Sequence, residues 1–279
     1  MLCKTIDVYA IQALVHYMLG GLQIAEIGGP MYDYLAVRSG LDAHWPTIAP
    51  CIAGAVIFSF VYFTTAVRQA IREKVYVEAF LGATVFFWHD FSYVLNYQMW
   101  FHEYRHWWFE GWWFALIGTT GFEAFLIYQV FQYGHQELWP SLSRRAFGTL
   151  IVLGTLAVGT MWFLLKGAIG DRQSLITFAI TAIWSAPFHT ALMCMRKNRA
   201  GQAVVRELCM AANLILLTIA FAQLAPRYFL SPTYLAFFAA FVAWPLANVW
   251  LILHLPPRIP GTEPSPSRRP AAMAAQGSG

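Results

Sequence analysis

The feature that most constrains this sequence is a series of seven apolar segments, each long enough to cross a lipid bilayer. An α-helix rises about 1.5 Å per residue, so roughly 20 residues cross a hydrocarbon core of about 30 Å. A spanning segment must satisfy its own backbone hydrogen bonds. The sequence therefore predicts an all-α, multi-pass membrane protein built as a bundle of seven transmembrane helices. The segments lie at roughly 49–67, 75–100, 108–133, 147–168, 174–195, 204–225 and 231–254.

The composition points to the same class of protein. Of the 279 residues, 58% are hydrophobic and 11% are charged, whereas a soluble domain carries about 25% charged residues. The mean hydropathy is +0.51. The net charge of +4 is small, and the basic residues form short clusters between apolar segments. Such clusters are typical of topology signals, so we expect a lipid bilayer and no nucleic acid as partner. The sequence leaves the oligomeric state open.

The apolar segments divide the chain into three parts. Residues 1–48 form an N-terminal segment, whose half-apolar stretch at 8–25 fits an interfacial helix or an additional span. Residues 49–254 form the seven-helix domain. Residues 255–279 are rich in Pro, Ser, Arg and Ala, a composition that does not build a core, and are predicted to be a disordered tail.

The distribution of basic residues predicts the orientation. If the seven segments alternate, one side carries six of the 18 Lys and Arg residues and the other side, which includes the tail, carries twelve. Lys and Arg accumulate on the cytosolic side, so the tail is expected in the cytosol. The twelve are Arg68, Arg72, Lys74, Arg144, Arg145, Arg196, Lys197, Arg199, Arg206, Arg258, Arg268 and Arg269.

The second segment contains an acid, Asp90, beside His89. An ionisable group at membrane depth costs about 2.5–3.5 kcal/mol on insertion scales, so it usually has a function or a partner. An uncharged acid among aromatic rings would protonate an alkene or epoxide, and the rings would stabilise the resulting cation. Alternatively, Asp90 only bonds a neighbouring helix. Helical spacing places its neighbours on one face: Phe86, Tyr93 and Tyr97, with His89 and Asn96 beside them.

The third segment contains a second acid, Glu123. Adjacent antiparallel helices can bring it into one cavity with Asp90, where one carboxyl group would act as acid and the other as base. Alternatively, Glu123 pairs with a neighbouring polar group purely for stability. His189 follows Pro187 in the fifth segment and is expected to satisfy freed carbonyl groups. Arg206 and Glu207 open the sixth segment, where we expect them to be solvated or paired.

Residues 102–106 read His-Glu-Tyr-Arg-His, which matches the H-E-x-x-H pattern of zinc hydrolases. On a helix, His102 and His106 would face the same way, with Glu103 as general base. The match lies at a membrane edge, where a belt rich in Trp, His and Arg would look the same. The four cysteines show no C-x-x-C spacing. We therefore predict no bound metal and no cofactor, and keep zinc hydrolysis as an alternative.

Several short stretches resemble one family, the small integral-membrane terpene cyclases of fungal meroterpenoid and indole-diterpene pathways and their bacterial relatives. The resemblance covers about residues 54–254. At the position where the family usually has Glu after Trp, this chain has Asp90 after His89. The stretches are 72–76 with 88–93, 128–137, 196–201, and the Ser231-Pro232 pair that opens the last segment.

The resemblance implies a cyclase that protonates a prenyl chain without a metal. The implied substrate is a farnesyl or geranylgeranyl group, epoxidised or not, on an aromatic or polyketide head. Asp90 would be the general acid, tuned by His89. The family's last-helix Asp falls at Pro245 here, so Glu123 is expected as second acid or terminating base. The expected substrate contacts are Phe86, Trp88, Tyr93, Asn96, Tyr97 and His189.

The same residues also fit a function of another class. In a seven-helix proton-coupled transporter or ligand-binding membrane protein, His89, Asp90 and Glu123 would form a proton relay or a ligand site. A microbial rhodopsin is disfavoured, because the last segment contains no Lys.

Overall fold

The computed structural model describes residues 32–258, and every regular element within that range is helical. The stretch at 8–25 and nearly all of the predicted tail lie outside the described residues. Along the described residues, ten α-helices follow one another: α1 Tyr34–Glu73, α2 Phe80–Leu95, α3 Trp107–Tyr133, α4 His135–Leu138, α5 Arg144–Ile169, α6 Leu175–Ile180, α7 Ala186–Arg196, α8 Val204–Ala222, α9 Pro226–Phe229 and α10 Pro232–His254. A π-helical turn, Met99–Tyr104, follows α2, and a 3-10 turn, Thr181–Trp184, joins α6 to α7.

Five of these helices, α1, α3, α5, α8 and α10, are long and apolar enough to cross a membrane. The chain is therefore a multi-pass membrane protein by helix length and composition. The predicted count of seven spans is not confirmed. Helix α2 has 16 residues, which corresponds to about 24 Å. The fifth predicted segment is broken into α6, the 3-10 turn and α7, and Pro187 lies in the first turn of α7.

Helix α1 is longer than the apolar segment that predicted it. It has 40 residues, and the carboxylate of Asp33 caps its start by accepting a hydrogen bond of 3.0 Å from the Leu35 N–H. Val37 and Leu41 are buried although the residues around them are polar. This amphipathic first part did not register as a span, because its average hydropathy is diluted by the exposed polar face.

The packing of the helices opens a space inside the bundle. Helix α1 lies along α8, α2 lies along α3, and α10 packs on the other flank of α8. Helix α2 also contacts α5, where the Trp88 ring covers Gly159 so closely that an added Cβ would lie 2.4 Å from Trp88 Cε2. The space that remains is bordered by α1, α2, α3, α6 and α8.

The loops gather at two opposite ends of the bundle. At one end the Gly201 N–H donates to Glu73 Oε2 (2.8 Å), and the Arg199 N–H donates to the Pro256 carbonyl (3.1 Å). At the other end the Tyr34 hydroxyl donates to the Tyr104 carbonyl (3.0 Å). This is the grouping of loops that alternating segments predict, with the start of the tail at the first end.

Candidate functional site

The bundle contains a cavity with about 870 Å³ of space free of protein atoms, its mouth included. Most of its wall is aliphatic or aromatic, from Val56, Phe58, Phe60, Phe63, Phe86, Trp112, Ala115, Leu116, Phe178, Ala179, Met210, Leu214 and Leu217. The remaining wall residues are Ser59, Tyr62, His89, Asp90, Thr119, Glu123, Thr181, Cys209 and Asn213. All three residues predicted to be catalytic therefore border one apolar cavity.

Asp90 is held by partners on two helices. The Thr119 hydroxyl of α3 donates to its Oδ2 atom. The Nδ1 atom of His89, the preceding residue on α2, lies 2.6 Å from its Oδ1 atom. Asp90 is only 5% exposed. Both carboxyl oxygens are thus fixed in orientation at the cavity wall.

Glu123 lies one helical turn after Thr119 on α3, so the two side chains share a face. It is 1% exposed, and its carboxyl group is near enough to that of Asp90 to interact with it directly. Among the described residues its Oε2 atom has no hydrogen-bond partner. A buried unpaired oxygen is costly, by about 1–3 kcal/mol. The structure therefore brings the two acids together and leaves one oxygen available.

His89 is packed between aromatic rings. Its ring centroid lies 4.4 Å from that of Phe178 and 5.3 Å from that of Trp162. Its Nε2 atom has no partner within the part of the chain that the structure describes. The ring is therefore held in place by packing while one nitrogen bonds Asp90.

Of the aromatic residues predicted to contact the substrate, Phe86 lines the cavity and the others lie elsewhere. Trp88 faces α5, where its Nε1 atom donates to the Thr155 carbonyl (2.6 Å). Tyr93 is buried and stacks on Trp100, with ring centroids 4.0 Å apart. These two side chains pack the bundle rather than the cavity wall.

Asn96 and Tyr97 lie past the end of α2. The Asn96 side chain donates to the Ser92 carbonyl (2.7 Å). Tyr97 is 43% exposed and stacks on Phe101. Helical spacing predicts Asn96 and Tyr97 near Asp90, but α2 ends at Leu95, before both residues.

His189 belongs to a second polar group that lies behind the cavity wall, which we call the buried ionic cluster: Glu78, His189, Arg206 and Glu207. Its Nδ1 atom lies 2.5 Å from Glu207 Oε1, and its Nε2 atom lies 2.7 Å from Glu78 Oε1. Arg206 donates to the same Glu78 oxygen. Arg206 and Glu207 are fully buried, so the expectation of pairing holds and that of solvation does not.

Glu78 is the residue of this cluster that the sequence analysis missed. It lies in the short connection between α1 and α2, next to basic residues that are expected in water. Its position just before the apolar run of α2 was the available signal. Burial acts to raise the pKa of Glu78, but the charges of His189 and Arg206 outweigh burial and hold that pKa below its usual value.

The H-E-x-x-H stretch does not form one regular α-helix. The π-helical turn ends at Tyr104, and Arg105 has a left-handed backbone with φ of 48°. His106 caps α3 by accepting a hydrogen bond from the Trp108 N–H (3.2 Å), whereas His102 is exposed. Within residues 32–258 there is no group of three or more His, Cys, Asp or Glu residues placed to hold a metal ion.

Three of the stretches that carry the family resemblance, 72–76, 128–137 and 196–201, meet at one end of the bundle. The Arg196 guanidinium donates to both Glu137 oxygens (2.8 and 3.1 Å) and to the Tyr76 carbonyl (3.0 Å). It also lies 4.4 Å from the centre of the Tyr76 ring. This bidentate ion pair with a stacked ring ties three loops together.

Comparisons of the chain with protein-family models, with curated proteins and with solved structures find no match. The resemblance to membrane terpene cyclases therefore remains a prediction from the residues.

Proposed function

We propose that this chain is a membrane-bound, class II-like terpene cyclase, which protonates the prenyl chain of a meroterpenoid-type substrate to start carbocation cyclisation. The observation that carries the proposal is that Asp90 and Glu123 border one aromatic-lined cavity, near enough for their carboxyl groups to interact. The apolar wall of this cavity suits a long apolar chain, and Asp90 and Glu123 supply the carboxyl groups of the wall.

The acids would work as a pair that shares a proton. Two carboxyl groups in contact cannot both ionise without strong repulsion, so the pair retains one proton. Asp90 would donate it to the terminal alkene carbon, or to the epoxide oxygen as a C–O bond breaks. Thr119 and His89 would orient the Asp90 oxygens and stabilise the carboxylate left behind. Glu123 would then be the second acid or the terminating base.

The cavity wall would stabilise the cation and exclude water. The faces of aromatic rings attract cations, by about 2 kcal/mol or more when desolvated. Phe86 supplies one such face as predicted, whereas Trp88, Tyr93 and Tyr97 lie outside the wall. Six other aromatic side chains line the wall and would share this role: Phe58, Phe60, Tyr62, Phe63, Trp112 and Phe178.

We also propose a topology for the enzyme. Helix α2 and the broken α6–α7 unit would cross together with the five long helices, which gives seven crossings. The excess of Lys and Arg at the end that holds the start of the tail supports the proposal that this end faces the cytosol.

The test is the Asp90→Asn variant in membrane fractions, supplied with farnesyl- and geranylgeranyl-substituted phenols, each with and without a terminal epoxide. We expect cyclised product to fall by roughly 100-fold or more, since general acid catalysis contributes about 10²–10⁴-fold. Asp42→Asn is the matched control, because Asp42 is exposed at one end of the bundle, beside His106. Product formation by Asp90→Asn equal to that of the wild type would refute the proposal.

A further inference from the structure

The buried ionic cluster is a second group of proton-binding side chains, and the proposed initiation step does not use it. Its members come from the α1–α2 connection, α7 and α8, and each is no more than 1% exposed. Burying several ionisable groups is costly unless they are paired, so their retention requires a reason.

Tyr62 of α1 connects this cluster with the cavity. It is one of the residues that line the cavity, and its hydroxyl donates to Glu78 Oε1. The hydroxyl oxygen also accepts a hydrogen bond from Arg206 Nη2 (3.1 Å), and it lies 3.1 Å from Ser185 Oγ and 3.3 Å from His189 Nε2. A proton that reaches this oxygen from the cavity side therefore has a continuous hydrogen-bonded path to Glu78.

The contacts of His189 indicate an additional proton in the cluster. Both ring nitrogens of His189 face oxygens of a carboxylate, and an ionised carboxylate only accepts hydrogen bonds. A neutral imidazole donates through one nitrogen, so either the ring or one of the carboxyl groups carries an extra proton. Arg206 Nη2 also lies 3.0 Å from His189 Nε2, because both atoms converge on the same Glu78 oxygen.

Glu78 also has room for another proton. Its Oε1 atom accepts hydrogen bonds from Tyr62 and Arg206 and lies 2.7 Å from His189 Nε2. Its buried Oε2 atom has no partner among residues 32–258. A proton passed on by the Tyr62 hydroxyl arrives at Oε1, the oxygen to which Tyr62 already donates. Glu78 can thus take up that proton while its other oxygen stays without a protein partner.

We propose that Tyr62 is the base that ends the cyclisation, with Glu78 behind it as the proton acceptor. This inference rests on the proposed cyclase function. A C–H bond next to the final cationic carbon breaks, and its electron pair forms the new C=C bond. The Tyr62 oxygen takes that proton while its own hydroxyl proton passes to Glu78. Tyr62 stays neutral, Glu78 becomes neutral, and the positive charge of the substrate disappears.

This division of work separates the two proton transfers in space. The Asp90–Glu123 pair donates at the start, and Tyr62 with Glu78 accepts at the end. An ionised Glu78 suits the acceptor role, while His189 and Arg206 hold its charge in place between turnovers.

The test compares the products of Tyr62→Phe and Tyr234→Phe, with the same four prenylated phenols in H₂O and in D₂O. Tyr234 is a matched control: it is 4% exposed, and its hydroxyl lies 3.0 Å from Thr218 Oγ1, away from the cavity wall. We expect Tyr62→Phe to lower the share of the wild-type alkene among cyclised products by about tenfold or more. Water-quenched alcohols and isomeric alkenes should rise, while deuterium from D₂O still enters at the initiating carbon.

The share of the wild-type alkene among cyclised products does not depend on how much protein folds. Glu78→Gln is a second variant, and it should also lower that share. An unchanged share in both variants would overturn the inference, even if the wild type cyclises and Asp90→Asn does not. Loss of all cyclisation in a folded Tyr62→Phe protein would also overturn it, since initiation should not need Tyr62. If the wild type cyclises none of the probes, the proposed function fails and the inference fails with it.

Discussion

At the scale of single residues, the hydroxyl of Thr119 determines how Asp90 is held. It is a donor to Asp90 from another helix, and a typical intramolecular hydrogen bond contributes about 0.5–1.5 kcal/mol. We expect Thr119→Val to lower the free energy of unfolding in detergent by about that amount, and to slow cyclisation. Thr120→Val is the control, because that hydroxyl bonds only the Leu116 carbonyl of its own helix (2.7 Å). Equal effects of the two variants would show that Asp90 does not depend on Thr119.

Glu78 should make the folded protein sensitive to acid. Its pKa is held below the usual value in the folded state, whereas in the unfolded chain it returns to about 4.3. The stability that Glu78 contributes is therefore fully present above about pH 4.3 and is lost as pH falls through the lower folded pKa. Unfolding midpoints measured across this range should fall more steeply for the wild type than for Glu78→Gln. Parallel curves would contradict this assignment.

The residues found from the sequence and those missed differ in their surroundings. Asp90 and Glu123 were conspicuous because an acid inside an apolar segment has few neutral explanations. Glu78 and Arg206 border basic loops, where charged side chains are ordinarily solvated. Their burial arises from their pairing with each other, since Arg206 donates a hydrogen bond to Glu78 from 128 residues further along the chain. That contact joins distant parts of the chain and leaves no local pattern.

At the scale of the helices, the approach of α2 to α5 depends on Gly159. An added Cβ would lie within 2.8 Å of three atoms of the Trp88 ring, and that ring is anchored by its bond to the Thr155 carbonyl. We expect Gly159→Ala to destabilise the fold by about 1–3 kcal/mol through overpacking. Gly167→Ala, on the same helix with nothing within 4 Å, should be neutral or stabilising. Thermal unfolding in detergent measures both, and equal melting temperatures would contradict the prediction.

Helix ends were harder to predict than helix positions. The apolar segments located the long helices well, because spanning helices require long apolar runs. The end of α2 at Leu95 has no Gly or Pro signal in the sequence. The Trp100 indole donates to the Tyr93 carbonyl (2.7 Å) and Asn96 bonds Ser92, which together close the helix. Periodicity therefore extended the Asp90 face to Tyr97, two residues beyond the end of the helix at Leu95.

At the scale of the whole molecule, the number of crossings depends on the broken α6–α7 unit. Irregular backbone at membrane depth is tolerated where it is buried in protein or lines a cavity. Phe178, Ala179 and Thr181 of this unit border the cavity, and Ser185 bonds Tyr62. The break therefore occurs where protein rather than lipid surrounds the chain, which is compatible with a full crossing.

Single cysteines on either side of this unit test the crossing. Arg172 precedes it and Lys197 follows it, and both are exposed. In a protein whose native cysteines are replaced, we expect a membrane-impermeant maleimide to label Arg172→Cys in intact cells, and Lys197→Cys only after permeabilisation.

The other outcomes separate the two parts of this topology. Labelling of both cysteines from the same side would show that α6–α7 does not cross. The topology would then have one crossing fewer, with the end of α5 and the start of α8 on the same side. Labelling of Lys197→Cys alone would keep the crossing and reverse the orientation. In that case the excess of basic residues would lie outside the cell, against the positive-inside rule. Only labelling of Arg172→Cys alone supports both the crossing and a cytosolic tail.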